Sequence, residues 1–203
     1  MSLTSFLKNQ GYTSFEGHCQ QVSLQVDDLI HLTNTKSTVT SIMEIGFNAG
    51  HSADLFLRNN LNANVTSFDL GKHKYVSVAK KYIDITYPNR HSLILGDSTK
   101  TIPQFFKTNP NIRFDIIFID GGHKYETVKS DLINCIHLAH NDSIIILDDT
   151  IFTKKWQEWW TIGPTQIWTE CVSQNIINKL ESREYQTGRG MSWGKYIDGT
   201  FKK

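Results

Sequence analysis

The chain has 203 residues, enough to bury one full core without disulfides or a structural metal, so a single domain is the default. Lys and Arg total 21 against 20 Asp and Glu, which leaves no net field to draw in nucleic acid or an acidic membrane, and the expected partner is a small molecule. Cys19, Cys135 and Cys171 form no C-x-x-C pair, apolar runs are only a few residues long, and Met1 to Gly11 has no signal-peptide core, so the reading is a soluble, cytoplasmic protein.

Residues 1–40 read as an N-terminal helical cap or lid, with its best helix over 24–32. Residues 41–203 read as the main domain. It holds short apolar segments at Ser41–Ile45, Asn64–Asp69, 92–95, Phe114–Ile119 and 143–147, rich in Ile, Val and Phe without strict alternation, the pattern of strands buried on both faces of a parallel sheet. Between them lie helical stretches. A short helix is expected over 53–57, and 125–138 places Val128, Leu132, Ile133, Ile136 and Leu138 on one apolar stripe. Alternation of this kind implies right-handed crossovers and a doubly wound α/β sheet, with its ligand crevice beyond the carboxyl ends of the strands. Farther along, Trp156, Trp159, Trp160 and Trp168 crowd the stretch 151–168, residues 165–177 read as a helix, and 181–197 reads as a hairpin around Tyr-Gln-Thr-Gly-Arg-Gly.

Every expected strand ends in polar residues. The first runs into Glu44-Ile45-Gly46-Phe47-Asn48-Ala49-Gly50-His51-Ser52, a glycine-bearing turn that lets backbone approach a ligand and opens a helix whose N-terminus carries partial positive charge. The second ends at Asp69, placed to accept hydrogen bonds from both hydroxyls of a ribose; a solvated loop aspartate is the alternative. The third gives Gly96-Asp97-Ser98, the fourth Asp120-Gly121-Gly122-His123, and the fifth Asp148-Asp149. Carboxylates converging from the fourth and fifth strands repel one another unless a cation compensates them, and oxygen-only ligands favour Mg²⁺, Mn²⁺ or Ca²⁺ over zinc. A helix cap with a solvated neighbour is the other reading of Asp148-Asp149. His123 has the ordinary pKa of a proton acceptor near neutrality, or else caps the following helix. Trp156, Trp159, Trp160 and Trp168 are candidates for a wall of an acceptor pocket, with lid-helix core packing as the alternative.

Over roughly residues 40–197, the ordered set E-I-G-x-x-x-G, S-F-D-L-G, G-D-S, F-D-I-I-F-I-D-G-G-H-x-Y-E and I-I-L-D-D resembles class I S-adenosylmethionine-dependent methyltransferases. Within them it is similar to the metal-dependent O-methyltransferase group that includes macrolide-sugar and catechol methyltransferases. The resemblance implies a Rossmann-like domain whose mostly parallel seven-stranded sheet ends in an antiparallel hairpin. It implies that Glu44, Gly46 and Gly50 line the methionine end of the cofactor, with Asn48 and Ser52 of the same turn in the binding set, that Asp69 holds the ribose, and that Asp97 and Ser98 sit beside the adenine. Asp120, Asp148 and Asp149 are then the metal ligands, Asp120 also borders the cofactor, and His123 takes the acceptor's proton. The double aspartate and the Gly-Gly-His favour a sugar or glycosylated acceptor over a catechol or phenol. Two rival functions are a nicotinamide-dependent oxidoreductase, against which bulky Phe47 and Asn48 argue in the pyrophosphate position, and a non-catalytic cofactor-binding scaffold. The hairpin around Arg189, Met191 and Trp193 offers a possible homo-oligomer face, and His18, His73 and His140 are expected at the surface.

Overall fold

The computed structural model describes residues 1–34 and 39–197; residues 35–38 of the expected cap and 198–203 of the expected main domain lie outside the described residues. The chain runs α1 (Leu3–Asn9), α2 (Ser23–Asn34), β1 (Ser41–Ile45), α3 (His51–Asn59), β2 (Asn64–Asp69), α4 (Tyr75–Thr86), β3 (His91–Leu95), α5 (Ser98–Thr108), β4 (Phe114–Ile119), α6 (Tyr125–Cys135), β5 (Ala139–Asp148), α7 (Trp159–Ser173), β6 (Ile177–Gln186) and β7 (Arg189–Tyr196). Seven strands form one sheet in the order β3-β2-β1-β4-β5-β7-β6. Strands β1 to β5 pair in parallel, and β7 runs antiparallel between β5 and β6. This is the expected Rossmann-like doubly wound architecture, closed by an antiparallel hairpin.

The apolar runs are continuous because both faces of the sheet are covered. Within β1, Ile42 points into a core shared with Leu7, Leu29, Phe56 and Ile83 from α1 to α4, while its neighbour Met43 points into a second core with Ile102, Leu132 and Trp168 from α5 to α7. Strand order reverses at β1, whose neighbours are β2 and β4, so the crevice of the fold opens at the carboxyl ends of β1 and β4.

Several expected boundaries move. The helix expected over 165–177 is α7, which starts at Trp159 and stops at Ser173, and Ile177 instead opens β6. β5 begins at Ala139 rather than 143, with a register irregularity opposite Phe114 and Ile116 that absorbs His140, Asn141 and Asp142. The helix expected over 125–138 is α-helical to Cys135 and tightens to a 3₁₀ turn over Ile136–Leu138. Of the residues named for an oligomer face, Met191 and Trp193 are buried in the chain's own core, and Arg189 is half-buried. Among the described residues, no helix is long and apolar enough to cross a membrane.

Candidate active site

β1 hands the chain to a turn held extremely close to β4. Gly46 has φ +99°, and a Cβ built there would lie 1.8 Å from the Asp120 carbonyl oxygen. The two loops are tied to the strands by Gly46 N–H donating to Phe68 O at 2.8 Å and Asp120 N–H donating to Ile45 O at 2.8 Å. Asn48, a non-glycine residue at φ 48°, is fixed by its N–H donating to Asp69 Oδ2 at 2.8 Å, while Asp69 Oδ1 accepts from Gly71 N–H at 2.7 Å. Asp69 therefore links the end of β2 to the glycine turn.

Glu44 is placed differently from the expectation of a cofactor-lining side chain. It is fully buried, and its carboxylate accepts from Ser52 Oγ at 2.7 Å and Ser67 Oγ at 2.6 Å, with Ser67 also bonded to His91 Nε2 at 2.7 Å. Burial pushes the Glu44 carboxyl up to about 7, opposed by the two serine hydroxyls. Glu44 and Ser52 thus fasten the turn from beneath. Asp97 caps α5, its Oδ1 accepting from Thr99 N–H at 3.0 Å and Thr99 Oγ1 at 2.7 Å. Ser98 is the first residue of that helix and lies toward Asp131, a fully buried carboxyl pushed up to about 7 by burial.

At the ends of β4 and β5 the acidic residues meet. Asp120, His123 and Asp149 each offer a ligand atom, and these atoms all lie within 4.8 Å of one another. His123 Nε2 is 2.9 Å from Asp149 Oδ2, and that hydrogen bond, more than any other contact, raises the imidazole pKa. Asp149 has φ 59°, a left-handed conformation that a non-glycine residue adopts at a cost of about 1–3 kcal/mol. Asp148 turns toward α2: its Oδ1 accepts from Gln25 Nε2 at 2.8 Å and from Asp149 N–H at 2.9 Å, while its Oδ2 is buried without a partner. Enclosure by protein, followed by the charges of Asp148 and Asp149, lifts Asp120 well above the ordinary carboxyl range. A divalent cation would relieve this repulsion, and the oxygen-rich set suits a hard ion.

Four positioning residues had no legible signal. Gly163 in α7 packs so tightly that a Cβ there would lie 2.3 Å from His123 O, setting the height of the His123 turn against the helix. Gln25 holds Asp148, and Arg189 donates to Gln21 Oε1 at 2.5 Å beside Gly17. His18, expected at the surface, lies flat on His51 with ring centroids 3.7 Å apart. Gly17, His18 and Cys19 cover the glycine turn and enclose a small cavity with residues 46–49, His51, Ser52 and Asp120. The tryptophans divide: Trp168 is core at 1 % exposure, whereas Trp159 is 73 % exposed and edge-on to His123 at 6.1 Å. A wider hollow between Phe106, Arg113, His137 and His140 lies at the amino ends of β4 and β5, away from the motifs.

Residues 43–150 match the family model described as a methyltransferase domain. The chain belongs to this family. It is a methyltransferase, and the nicotinamide-dependent alternative gains nothing from the match. No curated protein matches the sequence. Among solved structures, the methyltransferase is similar to an O-methyltransferase from Bacillus cereus in complex with S-adenosylhomocysteine, at 15 % identity, TM-score 0.75, 96 % of this chain and 89 % of the other. It is also similar to TomG from Streptomyces achromogenes, an O-methyltransferase involved in tomaymycin synthesis solved with S-adenosylmethionine, at 11 % identity, TM-score 0.73, 96 % and 87 % coverage. A third is CalS11, a TDP-rhamnose 3'-O-methyltransferase of calicheamicin biosynthesis, at 19 % identity, TM-score 0.62, 86 % and 79 % coverage. At these identities the likeness is one of fold.

Proposed function

We propose that this methyltransferase is a divalent-metal-dependent O-methyltransferase that modifies a hydroxyl of a small molecule, a sugar or glycosylated metabolite ahead of a catechol or phenol. The observation that carries the reading is the convergence of Asp120, His123 and Asp149 at the carboxyl ends of β4 and β5. In it, residues 1–40 cap the catalytic domain of residues 41–203. Gly46, Asn48, Gly50 and Asp69 border the cofactor, Glu44 and Ser52 hold the turn that does so, and Asp97 and Ser98 stand at the adenine end. Asp120, Asp148 and Asp149 hold the metal, the partnerless Asp148 Oδ2 being a free donor for it.

Bound S-adenosylmethionine supplies an electrophilic sulfonium methyl, and a bound Mg²⁺, Mn²⁺ or Ca²⁺ lowers the pKa of a coordinated hydroxyl. The protein's own part is to fix the acceptor oxygen and take its proton. His123 does the second through Nδ1, and Asp149, 2.9 Å from Nε2, accepts the Nε2–H, orients the ring and stabilises the imidazolium that results. Trp159, exposed and edge-on to His123, offers an apolar face for the acceptor, and weak similarity in fold to a rhamnose methyltransferase supports a sugar. The His123–Asp149 pair also favours a second reading, a metal-independent base dyad on the same residues.

Calorimetric titration with S-adenosylhomocysteine, with EDTA or with Mg²⁺, separates these readings. Micromolar nucleoside binding and a separate Mg²⁺ heat that disappears in Asp149→Ala are expected. Nucleoside binding without any Mg²⁺ heat leaves the dyad, and absence of nucleoside binding removes both.

A further inference from the structure

Arg189 stands at the rim of the acidic cluster without a carboxylate of its own. It opens β7 two positions before Met191, which pairs with Asp148, so its side chain leaves the same face of the sheet as Met191 and lies just beyond the carboxyl end of β5. There the half-buried guanidinium rests against Gly17, where a Cβ would come within 2.5 Å of Nη2, and Nη2 donates to Gln21 Oε1. Among the described residues it has no ion-pair partner. The chain's other arginines are all committed: Arg58 to Asp54, Arg183 to Asp28 and Glu181, Arg90 to the carbonyls of Leu57, Asn60 and Ala63, and Arg113 to those of Pro110 and Ile112.

The turn that presents Arg189 is fixed to the tryptophan stretch. Gly188 N–H donates to Trp156 O at 2.8 Å, and Gly188 O accepts from Trp160 Nε1 at 3.1 Å. Trp160 in turn lies edge-on to Trp159, which is edge-on to His123. Arg189 therefore stands between the N-terminal segment and the aromatic side of the acidic cluster. Burial and mutual repulsion raise the Asp120 and Asp148 carboxyls, and Arg189 is the cation that opposes both shifts. With a divalent cation on the three carboxylates, Arg189 and the cofactor's sulfonium leave the site one positive charge in excess, which an acceptor with an anionic group balances. A guanidinium fork suits such a group, and Nε and Nη1 are not engaged by Gln21.

We propose that Arg189 is a specificity-determining residue whose free N–H groups bind a carboxylate or phosphate carried by the acceptor beside the hydroxyl that faces His123. The acceptor is then a hydroxylated acid or a phosphorylated sugar, not a neutral sugar or phenol. This assignment rests on the O-methyltransferase reading above and narrows its acceptor.

The test is calorimetry on the complex with S-adenosylhomocysteine and Mg²⁺, using charged and neutral probes of similar shape: 3,4-dihydroxybenzoate against 3,4-dihydroxybenzamide, and D-glucuronate and D-glucose 6-phosphate against D-glucose. At least one charged probe is expected to bind the parent roughly tenfold to a hundredfold more tightly than its neutral partner, the worth of a hydrogen bond to a charged group. A preference confined to the carboxylates or to the phosphate identifies the group. Arg189→Gln is expected to remove the preference while S-adenosylhomocysteine affinity stays parental, which also reports that the variant is folded, and Arg189→Lys, with the charge but not the fork, is expected to keep part of it. A preference that survives in Arg189→Gln comes from the metal and overturns the assignment. Equal binding of charged and neutral probes, or binding of none, overturns it too, while the cofactor and Mg²⁺ heats keep the methyltransferase reading. Absence of those heats in the parent overturns both.

Discussion

At the scale of single residues, the site depends on close approach more than on side-chain chemistry. Gly46 stands at φ +99° with the Asp120 carbonyl in the space a Cβ would take, so Gly46→Ala must part β1 from β4 where the glycine turn and the acidic cluster meet. We expect a loss of at least about 3 kcal/mol in urea denaturation and loss of S-adenosylhomocysteine binding; a variant with parental stability would show that the loops separate freely. The glycine turn, Asp69, Asp120 and Asp149 were legible because each follows directly on an apolar strand, and the end of a strand in this fold is the crevice. Glu44 was legible as a motif residue but not as a buried one, since its partners Ser52 and Ser67 lie 8 and 23 residues away. His18 carried no signal at all, because only the folded chain stacks it on His51.

At the scale of elements, strands were read more accurately than helices. β1, β2 and β4 have the expected bounds, since a strand buried on both faces is a bare apolar run between polar ends. α7 hid its start because its surface is inverted: Trp159 and Ile162 are exposed while Thr161, Gly163, Pro164 and Thr165 are buried, and Gly-Pro reads as a breaker. That inversion gives Trp159 its interest. Trp159→Ala is expected to change stability by less than about 1 kcal/mol while raising the KM of an acceptor and leaving that of S-adenosylmethionine unchanged. An unchanged acceptor KM would remove Trp159 from the pocket.

The first residue of β3 supplies a pH dependence away from the acidic cluster. His91 is buried against Phe47 and bonded to Ser67, and burial, aided by Lys80 and opposed by Asp84, lowers its pKa from 6.5 to about 4. The unfolded chain therefore binds the proton more readily between these values. The stability tied to a neutral His91 is present above 6.5 and lost as pH falls toward 4. From pH 6.5 to 5 the loss is about 2 kcal/mol at roughly 1.4 kcal/mol per unit. His91→Gln removes this titration, so its stability relative to the parent should improve by about that amount between pH 7 and 5 in urea denaturation. A difference between the two proteins that is independent of pH would mean that His91 titrates in the native state as it does in the unfolded chain.

At the scale of the whole molecule, the site gathers turns from the ends of β1, β2, β3, β4 and β5 and a wall from the segment before α2. A ligand gripping all of these cannot be released by local fraying alone, so its binding energy should appear as global stability. At a concentration 100 times its dissociation constant, a ligand of the native state adds about 2.7 kcal/mol. For a chain of this size that corresponds to a rise in Tm of roughly 5–10 °C. S-adenosylhomocysteine should produce this shift in one cooperative transition. Two separated transitions, only one of them moved by the nucleoside, would mean that these turns open independently of the rest of the chain.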